Sequence, residues 1–372
     1  MVDIVVAGHL CLDLIPQIGN LPLAALTQAG RLFEVGEMHV STGGAVSNTG
    51  IALHKLGIDT ALIATIGDDM VGQMIRAVLD SHDPRLSGSL AVRRNHASAY
   101  TVVLSPRDDD RVFIHCPGTN AHFCSDDVDY GLVAQSKIFH MGYPPILPRL
   151  LVDNGADLET LFRKSKAAGA VTSLDTSLPD PDGASGRADW RVILRRVLPY
   201  VDIFIPSIDE IVYMLRRDDY NTWRGRILQH IDAGYLDGLA AEIADMGCPA
   251  VIGFKLGDMG LYLRTANASR LAALKPLKVS DPVNADKRIW QPALDVRVVG
   301  TTGAGDAAYA GLLAALTRGA TIEAAAQWAC AVGACCVEAP DATSGIQTWS
   351  DISARLSGGW RTNSARLRGW NT

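Results

Sequence analysis

Short, continuously apolar and β-branched runs alternate with helix-period segments along most of this chain, and that alternation most restricts what it can fold into. The runs at 3–8, 60–67, 137–142, 171–175, 202–206 and 250–254 carry few polar residues on either alternating face. Strands of a parallel sheet covered on both sides read this way. Between them lie helical patterns at 47–56, 71–79, 147–168, 191–198 and 239–246, and an alanine-rich pair over 304–338. Gly57 and Gly319 stand where helix-terminating glycines belong. The alternation predicts a doubly wound α/β domain whose ligands collect at the carboxyl ends of the strands.

Two stretches break the pattern. Residues 14–36 and 97–116 read as short strands with turns, the second as a hairpin of 98–105 and 111–115 joined through Pro106-Arg107-Asp108-Asp109-Asp110. They are expected to pair into a small β-sheet lid over the site; ordinary surface hairpins are the alternative. The polar segment 216–238 reads as a surface insertion. Residues 1–352 then form the main domain and 353–372 a loosely held, basic tail.

Composition narrows the class further. With 48% hydrophobic and 20% charged residues over 372 positions, a disordered chain is excluded. The 34 basic against 40 acidic residues leave a formal charge of −6, which argues against nucleic acid or an anionic membrane as partner. No run approaches the length of a membrane span, and the opening Met-Val-Asp-Ile-Val-Val lacks the basic region of a signal peptide. The seven cysteines are scattered without a C-x-x-C pair; they read as small buried hydrophobes in a reducing compartment, and cytoplasm is the expected location.

The chemistry concentrates in Gly300-Thr301-Thr302-Gly303-Ala304-Gly305-Asp306, after an apolar run at 296–299 read as a strand and before a helix. Small residues at 303–305 let backbone N–H groups approach an anion, and the helix dipole adds positive potential there. Asp306 falls in the first turn, where the same field favours an ionised carboxylate. An anion hole beside a carboxylate suits phosphoryl transfer: the hole takes the charge on the phosphoryl oxygens and the carboxylate takes the acceptor's proton. A helix cap with a tight glycine turn is the plainer reading. The segment lacks the Gly-Lys-Ser/Thr of a Walker A loop and the G-x-G-x-x-G of a dinucleotide site. A second cluster, Gly43-Gly44-Ala45-Val46-Ser47-Asn48, also leads into a helix, and Asn48 offers a donor and an acceptor to a polyol.

In this order and separation the two clusters resemble the ribokinase-like, or PfkB, carbohydrate kinase family. The first signature of that family reads here GGAVSNTGIALHKLGIDTALIATIGDD; its D-T-x-G-A-G-D signature matches at 301–306 and departs at Gly300. The opening Gly8-His9-Leu10-Cys11-Leu12-Asp13 fits as well, and the likeness runs from about residue 4 to 346. The resemblance implies a three-layer α/β/α fold with a central, mostly parallel sheet and a β-sheet lid, and an ATP- and Mg²⁺-dependent kinase acting on a hydroxymethyl group of a small sugar. It also implies a homodimer paired through the lid. A nucleoside kinase of the same fold, and a non-catalytic sugar- or nucleotide-binding regulator, are the alternatives.

Carried over residue by residue, the resemblance makes Asp306 the catalytic base and Gly303, Ala304 and Gly305 the anion hole. Asp13, Gly43, Gly44 and Asn48 fall where the family binds the acceptor's hydroxyls. Glu210, in Ser207-Ile208-Asp209-Glu210, takes the role that organises Mg²⁺ through water. Ser207, Lys255, Gly257, Gly260 and Gly333 fall on the nucleotide side. Three residues depart from the family pattern: Gly300 replaces its first Asp, Ser207 its usual Asn, and Cys330 stands where several members carry Asn. With no carboxylate at Gly300, K⁺ beside the anion hole would rest on neutral carbonyls alone, so its activation is expected to be weak.

Overall fold

The computed structural model describes residues 2–106 and 112–370. Its strands are β1 Ile4–Gly8, β2 Cys11–Pro16, β3 Met38–Gly43, β4 Thr60–Ile63, β5 Thr65–Gly67, β6 Ala91–Arg93 and β7 Tyr100–Leu104. They continue with β8 Val112–Cys116, β9 Ile138–Gly142, β10 Val171–Asp175, β11 Ile203–Phe204, β12 Val251–Lys255, β13 Leu261–Thr265 and β14 Arg288–Gln291. The described helices of eight residues or more are α1 Ala45–Lys55, α2 Met70–His82, α3 Pro148–Ala167, α4 Trp190–Val197 and α5 Ile208–Leu215. After them come α6 Ala233–Gly247, α7 Ala304–Thr317, α8 Ile322–Val337 and α9 Trp349–Ser357.

Eight strands form the main sheet in the order β14-β13-β12-β11-β10-β9-β1-β4, parallel except for β13, which runs antiparallel to both neighbours. The continuous apolar runs have the cause inferred from them. In β1, Ile4 and Val6 enter a core shared with α1, α2, α7 and α8, while Val5 and Ala7 enter a second core shared with α3, α4, α5 and α6. Both faces of the strand are buried, so every position is apolar.

The lid is a four-stranded sheet ordered β3-β2-β7-β8. Its first half departs from the expected 14–36: the strands lie at the two ends of that stretch, and no strand forms between Pro16 and Met38, where a short 3-10 turn at Leu23–Thr27 intervenes. Its second half is the expected hairpin, β7 against β8 in antiparallel register from Tyr100↔Cys116 to Leu104↔Val112. The turn residues 107–111 lie outside the described residues.

Four further expectations change. The run 60–67 is two strands, because β5 leaves the main sheet at Ala64 and pairs with β6. Residues 296–299 form no strand: Pro292 follows β14 and removes a ladder donor, and Val298 and Val299 stand 59% and 53% exposed. The supposed insertion 216–238 is part of the second core, through buried Tyr220, Ile227, Ile231 and Leu236. The tail is docked rather than loose. Leu367 is buried, Arg368 accepts a backbone bond from Ala233 (2.9 Å), and Trp370 packs edge-on against Tyr262.

Candidate active site

Asp306, Lys255 and Glu210 converge at the carboxyl ends of the parallel strands, where α7 begins. Gly303 opens that helix in the left-handed region (φ 75°), and a Cβ there would come within 2.4 Å of the Ala342 methyl. No other residue fits. The first intrahelical bond runs from Ala307 N–H to the Gly303 carbonyl (2.8 Å), so the N–H groups of Gly305 and Asp306 have no acceptor within the helix. The Ala304 N–H instead turns back toward the Thr301 carbonyl at 3.3 Å.

Asp306 is 1% exposed. Its Oδ2 accepts from Asn48 Nδ2 at 2.9 Å and from the Tyr143 hydroxyl at 2.7 Å, while its Oδ1 receives only a long bond from Thr49 Oγ1 at 3.5 Å. These bonds come from α1 and the end of β9, not from its own helix, so Asp306 does not act as a simple cap. Burial pushes its carboxyl above the ordinary range, against the pull of the Asn48 bond, the Lys255 charge and the Tyr143 bond.

Lys255, at the end of β12, donates to both oxygens of buried Asp175 at 2.6 and 2.7 Å. Its ammonium also borders Gly305, where an added Cβ would stand 3.4 Å away. Burial raises the Asp175 carboxyl to about 7 against the Lys255 charge, with Glu210 and Asp306 adding to the rise. Glu210 closes a capping box at the start of α5, its Oε2 accepting from Ser207 N–H (2.9 Å) and Thr176 Oγ1 (2.8 Å). Its carboxyl is raised too, chiefly by burial. Three carboxylates, those of Asp175 and Asp306 buried and that of Glu210 partly so, thus share the field of one lysine.

A cavity of about 450 Å³ opens beside this group, and Ser207, Lys255, Gly257, Gly260, Thr301, Ala304, Gly305 and Gly333 line it together. Every residue placed on the nucleotide side by sequence therefore meets in one space. Its far wall is flat and small, formed by Ala308, Ala329, Cys330 and Gly333. Gly260 must be glycine, since φ is +91° and a Cβ would lie 2.1 Å from the Gln291 carbonyl. The cavity, the free N–H groups and Lys255 suit a nucleotide triphosphate, and the excess of buried carboxylate over ammonium suits a hard dication such as Mg²⁺.

The residues that the resemblance places on the acceptor side lie on the lid sheet and in the first turns of α1. Asp13 on β2 pairs with Ser41 on β3, and its carboxylate leans over Gly43, where a Cβ would collide with it at 2.2 Å. Gly44 (φ +88°) packs in the same way on His9. The Asn48 Oδ1 is buried without a hydrogen-bond partner among the described residues. Sequence reasoning missed Tyr143, Asp175, Thr49 and Thr176. A usable signal existed for Asp175, a lone carboxylate ending an apolar run where parallel strands present ligands. Tyr143, after Gly142, carried none.

The architecture is ribokinase-like. The chain superposes on Arabidopsis thaliana ribokinase complexed with ribose and ATP with a TM-score of 0.72 at 20% identity, covering 96% of this chain and 99% of that one. It superposes on a Burkholderia thailandensis nucleoside kinase in complex with inosine with a TM-score of 0.66 at 19% identity, covering 96% and 99%. Residues 1–349 match the family described as pfkB family carbohydrate kinase, and the chain belongs to that family of ATP-dependent sugar kinases. Among curated proteins it is 25% identical over 322 residues to probable fructokinase-7 of Arabidopsis thaliana, covering 86% of this chain and 80% of that protein. It is 24% identical over 296 residues to an uncharacterized sugar kinase of Archaeoglobus fulgidus, covering 80% and 98%. No helix among the described residues is long and apolar enough to cross a membrane.

Proposed function

We propose that this chain transfers the γ-phosphoryl group of ATP to a hydroxymethyl group of a small sugar, with Asp306 as the general base. The observation that carries the reading is the inequality of the two Asp306 oxygens. Oδ2 is held by Asn48 and Tyr143, which fixes the carboxylate plane, and Oδ1 has only the 3.5 Å contact with Thr49. Oδ1 is then the oxygen that accepts the hydroxyl proton as the acceptor attacks.

On this reading Asp13, Gly43, Gly44 and Asn48 hold the acceptor. Ionised Asp13 takes hydroxyl donors, Gly43 and Gly44 let Asp13 and His9 seat close against the backbone, and the unpartnered Asn48 Oδ1 takes a further hydroxyl. Gly303, Ala304 and Gly305 face the transferring group with the positive end of α7, and Lys255 adds a point charge beside Gly305. Ser207, Gly257, Gly260 and Gly333 shape the nucleotide cavity. Glu210 would hold Mg²⁺ through water, and the ion would supply neutralisation of phosphate charge.

The lid supports a homodimer. β8 is an outer strand of its sheet, and Val112, Phe113 and Ile114 stand 40%, 58% and 55% exposed on it. An edge strand with three exposed apolar side chains is an unfinished surface. The test of function is an acceptor screen of pentoses, hexoses and nucleosides with Mg²⁺-ATP, using Asp306→Asn as the blank. Transfer to a free sugar is expected. Transfer to nucleosides alone would make the chain a nucleoside kinase, and nucleotide binding without transfer to any acceptor would overturn the catalytic reading.

A further inference from the structure

The face of the lid sheet that carries Asp13 holds further chemistry that the kinase reading does not use. Asp13 on β2 stands opposite Thr101 on β7, and Thr101 stands opposite His115 on β8. Cys11, two residues before Asp13, lies on the same face, with its sulfur 3.6 Å from Thr101 Oγ1 and 3.4 Å from Asp13 Oδ1. His9, in the turn between β1 and β2, completes the group. Its ring lies 5.4 Å from that of His115, centroid to centroid.

One donor atom from each of His9, Cys11 and His115 lies within 4.8 Å of the other two. Zn–N and Zn–S bonds of about 2.0 and 2.3 Å put tetrahedral ligand atoms roughly 3.3–3.7 Å apart. The three therefore need to close by about 1 Å, and His115, on an exposed outer strand, is free to move that far. His9 supplies an independent observation. The residue is 3% exposed, yet neither ring nitrogen has a hydrogen-bond partner among the described residues. A buried imidazole with both nitrogens idle lacks the partner that such groups nearly always have. Thr101 supplies another, because its hydroxyl meets His115 Nδ1 at 3.0 Å and leaves the other ring nitrogen for an ion. Metal-ligating histidines are oriented by just this kind of outer bond.

We propose that His9, Cys11 and His115 form a binding site for a borderline-soft divalent cation of the Zn²⁺ type, with the Asp13 carboxylate or a water completing four-coordination. Two imidazoles and a thiolate select such an ion over Mg²⁺, which prefers oxygen donors. Binding converts the Cys11 thiol to thiolate and releases one proton to solvent. The ion ties the lid's outer strand to the β1–β2 turn. On the acceptor-pocket reading given above it closes that pocket from the lid side, but the binding itself does not depend on that reading.

The test uses the full chain, stripped with chelator and free of affinity tags, titrated with ZnCl₂ by calorimetry and with CoCl₂ by absorption. One ion per chain is expected, with a thiolate-to-cobalt charge-transfer band in the near ultraviolet and intense tetrahedral ligand-field bands. Cys11→Ser should lose the charge-transfer band, whereas Cys116→Ser, next to His115, should keep it. Thr101→Val, which removes the bond to His115 and the contact with the Cys11 sulfur but no proposed ligand, should weaken Zn²⁺ binding by about 10- to 100-fold, and His115→Ala by at least as much. His115 is exposed, so its variant tests the site even if Cys11→Ser fails to fold. Absence of the band in the unaltered chain, or Zn²⁺ affinity unmoved by His115→Ala, overturns the proposal.

Discussion

The Tyr143 hydroxyl donates to Asp306 across 2.7 Å from a residue held in the left-handed region (φ 66°) just past the end of β9. The same residue's N–H reaches the Asp175 carbonyl at 3.3 Å, so β9, β10 and α7 meet at one residue. The bond favours the ionised carboxylate, and its removal raises the Asp306 pKa further above the ordinary value. An ionised base is lost as pH falls through its pKa, so the acidic limb of kcat/KM in Tyr143→Phe moves to higher pH. A bond to a charged group is worth about 1.5–3 kcal/mol, which sets the displacement at up to about one to two pH units. A pH profile of kcat/KM for both proteins checks this; superimposable acidic limbs would show that Tyr143 does not orient the base.

Asp306→Asn keeps the shape of the side chain and removes the proton acceptor. General-base catalysis contributes roughly 10²–10⁴-fold, so kcat should fall by about that much. ATP binding should hold or tighten, because a negative charge near the γ-phosphate is gone. If Asp306 merely ended a helix, the variant would lose about 1 kcal/mol of stability and turn over normally. Measuring kcat, ATP affinity and melting temperature on one preparation separates the two outcomes.

Lys255→Met leaves Asp175, which is fully buried, without its ammonium partner. Breaking a buried ion pair from one side costs about 3–5 kcal/mol. Chemical denaturation should show a loss of that order, and Lys255→Met combined with Asp175→Asn should recover much of it. Equal stabilities for the single and double variants would mean that the two groups are not ionised in the folded protein.

Restoring the family's aspartate at Gly300 should fail. A Cβ there would lie 2.9 Å from the carbonyl oxygens of both Ala339 and Pro340. Backbone is slow to give way, and overpacking of this kind costs about 1–3 kcal/mol. Gly300→Asp should therefore unfold at lower denaturant and gain no potassium activation. A stable variant that responds strongly to K⁺ would show that the 339–340 segment yields readily.

Placing a charge on the outer lid strand should prevent the dimer. Ile114→Asp introduces a carboxylate among exposed apolar neighbours on β8. Sedimentation should give a dimer for the unaltered chain and a monomer for the variant. A monomer in both cases removes the interface.

Much of the fold was legible because burial on two faces leaves a continuous apolar run, as in β1, β9 and β10. The strands β13 and β14 escaped because their sheet edge is half solvated: Arg264 and Arg288 are exposed and interrupt the pattern. The expected strand at 296–299 failed for the opposite reason, since an apolar run without a neighbouring ladder has nothing to pair with. At the site, the glycine clusters and Asp306 announced themselves through local chemistry. Tyr143 did not, and Asp175 showed only as a lone carboxylate ending an apolar run, because the two reach Asp306 and Lys255 through the order of strands in the sheet. His9 and His115 are 106 positions apart by their numbers and adjacent only because the lid folds back over β1.

Between the last residue of β3 and the first of α1 stands a single residue, Gly44, in a backbone conformation only glycine takes readily. On one side of that joint is the lid sheet, which carries Asp13; on the other is the helix whose Asn48 and Thr49 bond to the Asp306 carboxylate. Under the function proposed above, the two would act as arms of one lever with Gly44 as its pivot. Lowering the lid and setting the base then become one mechanical event. An acceptor too small to draw the lid down would leave the carboxylate out of line, and water, the smallest acceptor of all, would be turned away by leverage rather than by shape.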